Sequence, residues 1–249
     1  MVTKIFRLLR INKTSYGRKG LLDTFLGYFL YLIRSIIVRG QKALQGFYKQ
    51  TYFTFQGNNY TYWHHHYNNT WINERAIEIP IVLKILQTNK GKNILEIGNV
   101  LSHYYSVEHD IVDKYEKAKG IINQDIIDFQ PLKKYSLIVS ISTLEHIGWD
   151  ETPRNPEKII RVFDNLTRML APRGKIVATI PLGYNPVIEK QIKSGILRFE
   201  KLFYLKKISY HNRWIEVKSF SDTEGTKYNR VLLTANALII AVFENHSEI

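Results

Sequence analysis

Hydrophobic and polar positions along this chain fall into three regimes. Over residues 21–38, "LLDTFLGYFLYLIRSIIV", Leu22, Phe25, Leu26, Phe29, Leu32, Ile33, Ile36 and Ile37 recur at helical spacing, while Asp23, Gly27, Arg34 and Ser35 fall largely on the other side. This spacing predicts an amphipathic helix. Residues 51–72 are crowded with aromatics, Asn and His, and read as loop or short strands. From residue 73 a new rhythm begins. A helix is predicted over 73–86, then strand-like runs at 93–98, 109–115, 120–126 and 135–142, a long helix over 156–170 and a strand at 175–181. The long helix opens at Asn155–Pro156, a capping residue followed by proline in the first turn. Apolar strands alternating with helices imply a parallel sheet covered on both faces. The last runs, 197–217 and 236–244, are strands without an obvious helix between them and predict a terminal antiparallel pair. The expected division is an N-terminal extension, 1–72, and an α/β domain, 73–249.

Charge changes the picture of the extension. The net charge is +13, and residues 1–50 hold ten Lys/Arg against one acid, Asp23, a net of +9. An anionic partner, membrane or nucleic acid, is therefore sought there. Asp and Arg would each cost about 2.5–3.5 kcal/mol at a bilayer centre, and the 21–38 run is barely long enough to span one. A helix lying on an anionic membrane surface through residues 18–42, flanked by Arg18, Lys19, Arg39 and Lys42, fits better. A helix packed on its own domain or on a partner subunit is the alternative. The start lacks the apolar core and cleavage site of a secretory signal, which gives a cytoplasmic expectation. There is no cysteine, so disulfides, thiolate zinc sites and cysteine nucleophiles are excluded. Three adjacent histidines, 64–66, do not easily face one ion, and no metal is expected.

In an open parallel sheet, ligands sit beyond the carboxyl ends of the strands. The residues there are Glu96-Ile97-Gly98, Asp113, Asp125-Ile126, the run "SISTLEHIG" at 140–148 and "IPLGYNP" at 180–186. A carboxylate such as Asp113 accepts both hydroxyls of a ribose, which suits S-adenosylmethionine and NAD alike. A dinucleotide, however, needs the close backbone approach of a G-x-G-x-x-G loop. Here the later glycine places hold Val100 and Leu101 or Ser102, a poor phosphate cradle. A sulfonium cofactor carries no phosphate. A lone acid upstream of one glycine suits its charged amino-acid end.

The runs "NILEIG", "DIVDKY", "NQDIIDF", "YSLIVSISTLEHIG" and "RMLAPRGKIVATIPLG" resemble, in order and spacing, the motif set of class I S-adenosylmethionine-dependent methyltransferases. The match covers about residues 90–185 and looks most like the metal-independent small-molecule branch. The resemblance implies a Rossmann-like sheet of seven strands, mostly parallel with a terminal antiparallel hairpin, and S-adenosylmethionine as cofactor. It implies that Glu96, Gly98 and Asn99 form the cofactor loop, with Asn99 tolerating an unusual backbone. It assigns Asp113 to the ribose, Asp125 and Ile126 to the adenine, and Ser142 and Thr143 to the methyl donor's wall. Val100 and Ser102 depart from the family pattern, so the reading is a cofactor loop with relaxed glycines.

The implied reaction is methyl transfer to a small-molecule or lipid-linked acceptor, most simply at oxygen. A hydroxyl acceptor profits from a base, and His146 and His103 are the candidates, since imidazole titrates near neutrality. Each is equally readable as a structural histidine. Tyr104 and Tyr184 are candidate walls of the acceptor site, and Tyr104 and Tyr105 candidate ring partners for the sulfonium. The adenine amino-methylase signature is missing from 140–145, and Ser140 and Ser142 stand where a catechol-type metal enzyme would carry acids. Two alternatives remain open: an RNA acceptor held by residues 1–50, and a catalytically silent binding or scaffold protein. A nicotinamide enzyme is more remote.

Overall fold

The computed structural model describes residues 52–247 together with residues 29, 32–33, 35–40 and 43. The chain divides into two compact units, residues 50–229 with 233–249, and residues 1–49 with 230–232. In the smaller unit, residues 29, 32–33, 35–40 and 43 are helical, and Phe29, Leu32, Ile36 and Ile37 are exposed. Leu22, Phe25 and Leu26 of the predicted amphipathic face, and Arg18, Lys19 and Lys42 beside it, lie outside the described residues. Among the described residues, no helix is long and apolar enough to cross a membrane.

The larger unit opens with a hairpin, β1 (Tyr52–Phe55) and β2 (Asn58–Thr61). Its two-residue turn places Gln56 and Gly57 both at positive φ, the backbone that matches strand twist. Phe53 and Phe55 alternate inward and join Tyr62 in the core. The boundary expected at 72/73 therefore falls inside this unit, which begins at Gln50. Next comes α1 (Arg75–Thr88), with Ala76, Ile77, Glu78, Ile79, Ile81 and Val82 all buried. A helix apolar on every side is a core helix rather than a surface one.

The main sheet comprises β3 (Ile94–Ile97), β4 (Asp110–Val112), β5 (Ile121–Ile122), β6 (Tyr135–Ile141), β7 (Leu170–Pro181), β8 (Lys201–Lys207), β9 (Trp214–Val217) and β10 (Ala237–Glu244). Their order is β5-β4-β3-β6-β7-β10-β8-β9. The first five run parallel, and β10 inserts antiparallel between β7 and β8. This is the expected Rossmann-like α/β architecture, with eight strands instead of seven because β9 pairs antiparallel on the edge of β8. One face is covered by α1 and the β1–β2 hairpin, the other by α2 (Lys158–Met169) and α3 (Pro186–Lys193). Leu95 and Ile97 point to the α2 side, so Ile94 and Glu96 point to the α1 side.

Two local features set up the site. The α2 stripe of Ile159, Val162, Phe163, Leu166 and Met169 pins that helix to the sheet, and it starts at Lys158, past the expected Asn155–Pro156. The crossover from β3 to β4, residues 98–109, contains one 3-10 turn (Leu101–His103) where a parallel connection ordinarily carries a helix.

Candidate active site

The loop after β3 is organised around two buried decisions. Gly98 has φ +83°, and a Cβ there would run into the Thr143 side chain at the end of neighbouring β6. Glycine is needed on both counts. Glu96, fully buried, accepts from the backbone N–H groups of Val100 and Leu101, each at 2.9 Å, and pairs with His109 Nε2 at 2.8 Å. The loop's amides are thus held by an internal carboxylate. Asn99 does not carry the unusual backbone foreseen for it, because Gly98 takes the positive φ. Its N–H donates to Asp113 Oδ2 at 3.0 Å, and its side chain accepts from Ser102 Oγ at 2.5 Å. Asp113 also receives the N–H groups of Tyr115 and Glu116 at 2.7 Å. It thereby ties the ends of β3 and β4 together, half-buried at the strand edge.

Gly98→Ala tests this packing. Left-handed backbone at a non-glycine residue costs about 1–3 kcal/mol, and the Thr143 contact adds to it. The variant is expected to unfold at lower denaturant and to bind S-adenosylhomocysteine about tenfold more weakly or worse, read by calorimetry. Unchanged affinity would place the cofactor elsewhere.

At the end of β6, Ser142 sits at φ +42°, an uncommon backbone for a residue with a side chain. It is held there by Thr179, which accepts its N–H through both backbone and side-chain oxygens at 3.0 Å, and by Glu78, which accepts its hydroxyl at 2.5 Å. Glu78 also accepts from Thr179 Oγ1 at 2.6 Å and forms an ion pair with Arg75. Strain held by a buried charge at a strand end is what a preorganised site looks like. Sequence reading took this part of α1 as a connecting helix and missed Glu78.

Just beyond, His146 Nδ1 meets Asp150 Oδ2 at 2.5 Å. A carboxylate only accepts, so Nδ1 carries the proton and Nε2 holds the lone pair of the neutral ring. Tyr184 donates to the same Asp150 oxygen at 2.6 Å and stands edge-on to the His146 ring at 4.7 Å, with Tyr228 edge-on behind it at 5.0 Å. His146 and Tyr184, far apart in sequence, are therefore brought together, and Asp150 is the residue that sequence reading missed. Beside them Glu145 is 1% exposed, its Oε1 3.5 Å from His146 Nε2 and its Oε2 without a hydrogen-bond partner. Burial raises the Glu145 carboxyl well above the ordinary range; Glu78 and Glu74 push the same way, and Arg75 opposes them.

This yields a signed prediction. A folded-state carboxyl raised above its unfolded value means the native state takes up a proton, so stability falls as pH climbs above about 4.3 and the loss is complete past the folded value. Glu145→Gln removes the charged form. The variant is expected to melt higher than wild type at pH 8, with the gap closing towards pH 4. An equal gap at both pH values would contradict it.

The remaining candidates fall into different surroundings. Asp125 forms ion pairs with Lys114 at 2.8 Å and Lys158 at 2.5 Å, and both lysines also meet Glu151. Burial tends to raise the Asp125 carboxyl, and the two lysines outweigh it and hold it below the usual range. Ile126 lies in the core against α2. His103 stacks on Tyr67 at 4.3 Å and pairs with Glu116 at 3.1 Å, separate from the His146 group. Tyr104 sits edge-on to His65, Tyr67 and Trp63, and burial pushes its hydroxyl up to about 12. Of the three histidines, His64 stacks on Tyr62, His65 meets Tyr104 and His66 meets Trp71.

These residues fit an adenosyl sulfonium at Asp113, whose half-buried carboxylate accepts three backbone N–H groups and keeps room for one further donor. At Asp125 an adenine amine would share the carboxylate with two lysines.

No protein-family model matches this sequence, and no curated protein matches it. Solved structures are similar in fold. The N-methyltransferase NodS from Bradyrhizobium japonicum WM9, in complex with S-adenosylhomocysteine, aligns with 70% of this chain and 89% of its own at 16% identity and a TM-score of 0.46. A SAM-dependent methyltransferase from Archaeoglobus fulgidus aligns with 68% of this chain and 93% of its own at 14% identity and a TM-score of 0.43. A possible histamine N-methyltransferase from Thermotoga maritima aligns with 64% and 88% at 13% identity and a TM-score of 0.38.

Proposed function

We propose that this chain is an S-adenosylmethionine-dependent methyltransferase acting on a hydroxyl of a small-molecule or lipid-linked acceptor. The observation that carries the reading is the contact of Gly98 with Thr143: it sets the loop after β3 against the segment that holds Glu145 and His146. When bound, S-adenosylmethionine supplies a methyl carbon activated by positive sulfur. The chain's own part is alignment and proton handling. Gly98 permits close approach of Thr143, and Asp113 accepts from one ribose hydroxyl. His146 Nε2 takes the acceptor proton, while Asp150 fixes the ring's tautomer and faces the imidazolium that forms. Tyr184 walls the acceptor side. Alignment alone contributes up to about 7–11 kcal/mol in such reactions.

Glu96 also argues against a dinucleotide. A pyrophosphate needs loop N–H groups directed at it, and those of Val100 and Leu101 are already bonded to Glu96. A thermal-shift panel tests the cofactor: S-adenosylmethionine and S-adenosylhomocysteine at a hundredfold excess over Kd are expected to raise Tm by about 5–10 °C. NAD is expected to leave it unchanged. No shift with either sulfur compound would favour a silent binding protein.

The lipid-linked form of the acceptor draws on the basic N-terminal region and its exposed Phe29, Leu32 and Ile36. An aliphatic face interleaved with the basic residues suits a lipid surface better than RNA phosphate. Flotation with anionic liposomes, lost in a chain lacking residues 1–49, is the expected result; equal flotation of both chains would remove the membrane role.

A further inference from the structure

A cavity of about 650 Å³ lies on the α1 side of the sheet, between the second half of α1 and the segment that leads into β4. Its origin is the β3–β4 crossover. Parallel sheets are ordinarily covered by crossover helices on both faces. Here residues 98–109 offer a single 3-10 turn, and the space a helix would fill stays open. The size falls within the range of small-molecule sites.

The walls are chemically divided. Leu83, Leu86, Ile94 and Val107 give an apolar lining. Trp63 and Tyr105 add aromatic surface to the wall. Lys90 and Lys92, both exposed, stand at the cavity and outnumber its acid, Glu108; His109 is engaged by Glu96.

We propose that this cavity binds a small amphipathic oxyanion, an apolar body with a carboxylate-like head. The body lies against Leu83, Leu86 and Val107, and the head meets the charge of Lys90 and Lys92. This site faces a different part of the sheet from His146 and stands independently of the methyl-transfer reading.

The test uses the full chain with 8-anilinonaphthalene-1-sulfonate as reporter and dodecanoate, below its micelle concentration, as competitor. Saturable one-site displacement is expected, with Leu86→Trp, which fills the space, weakening dodecanoate at least tenfold. Val107→Phe narrows the space from the opposite wall and is expected to weaken it about fivefold, keeping the test valid should Leu86→Trp fold poorly. The Lys90→Ala/Lys92→Ala chain is expected to bind more weakly and with less salt dependence. Equal displacement by dodecyltrimethylammonium, binding unaltered in all three variants, or no saturable binding at all would overturn the proposal, the last meaning a cavity that holds only water.

Discussion

Glu96→Ala is expected to destabilise the fold by about 3 kcal/mol or more, the loss expected when several buried donors lose their acceptor. The carboxylate is fully buried and receives three donors: the amides of Val100 and Leu101 and the ring of His109. Alanine leaves all three facing a void, and each buried unsatisfied group costs about 1–3 kcal/mol. The readout is urea unfolding, where the midpoint should drop by roughly 1 M or more at the m-values of small proteins. Glu96→Gln keeps an acceptor oxygen for the loop amides and loses only the charge opposite His109, so it should fall between alanine and wild type. An alanine variant as stable as wild type would mean that the loop after β3 is held by something else, and that its glycine-poor sequence is not explained by the carboxylate beneath it.

His146→Asn carries the second large effect. General-base catalysis is worth about 10²–10⁴ in rate, and kcat is expected to fall by that factor while S-adenosylhomocysteine affinity stays within about twofold of wild type. Asp150→Asn keeps the shape around the ring and lets the wrong tautomer form, so it should lower kcat as well, with Tyr184 still in place. The assay is S-adenosylhomocysteine release against a panel of phenols, alcohols and amines. A full-rate His146→Asn enzyme would remove the base from the account. Activity confined to amines would move the acceptor atom from oxygen to nitrogen and turn attention to Glu145, whose Oε1 lies 3.5 Å from the same ring.

Much of this arrangement was legible in the chain because strand ends are legible. Alternation located β3, β4, β6 and β7, so Gly98, Asp113 and the 142–146 segment could be placed at one edge of a sheet before any contact was known. What local pattern cannot report is who answers a buried charge. Glu78 stands in "AIEIPIVL", a stretch so apolar that its glutamate had to be buried, and that was the available signal. Its partners, Ser142 and Thr179, lie on two other elements. The family resemblance assigns Asp125 to the adenine, and its pairing with Lys114 and Lys158 was not legible because those lysines come from different segments and meet it only in the fold. The compact unit begins at Gln50 rather than at residue 73 for a similar reason: Phe53 and Phe55 alternate like a strand, but only packing against α1 and β8 makes them core. The short β3–β4 crossover went unread because its length admits a helix and its sequence forms one turn.

The most direct measurement is a crystal structure with S-adenosylhomocysteine. The account predicts the ligand at the ends of β3 and β4, its sulfur near Gly98 and Thr143 and one ribose hydroxyl on Asp113. Density for the ligand at another edge of the sheet, or none at saturating concentration, would contradict it.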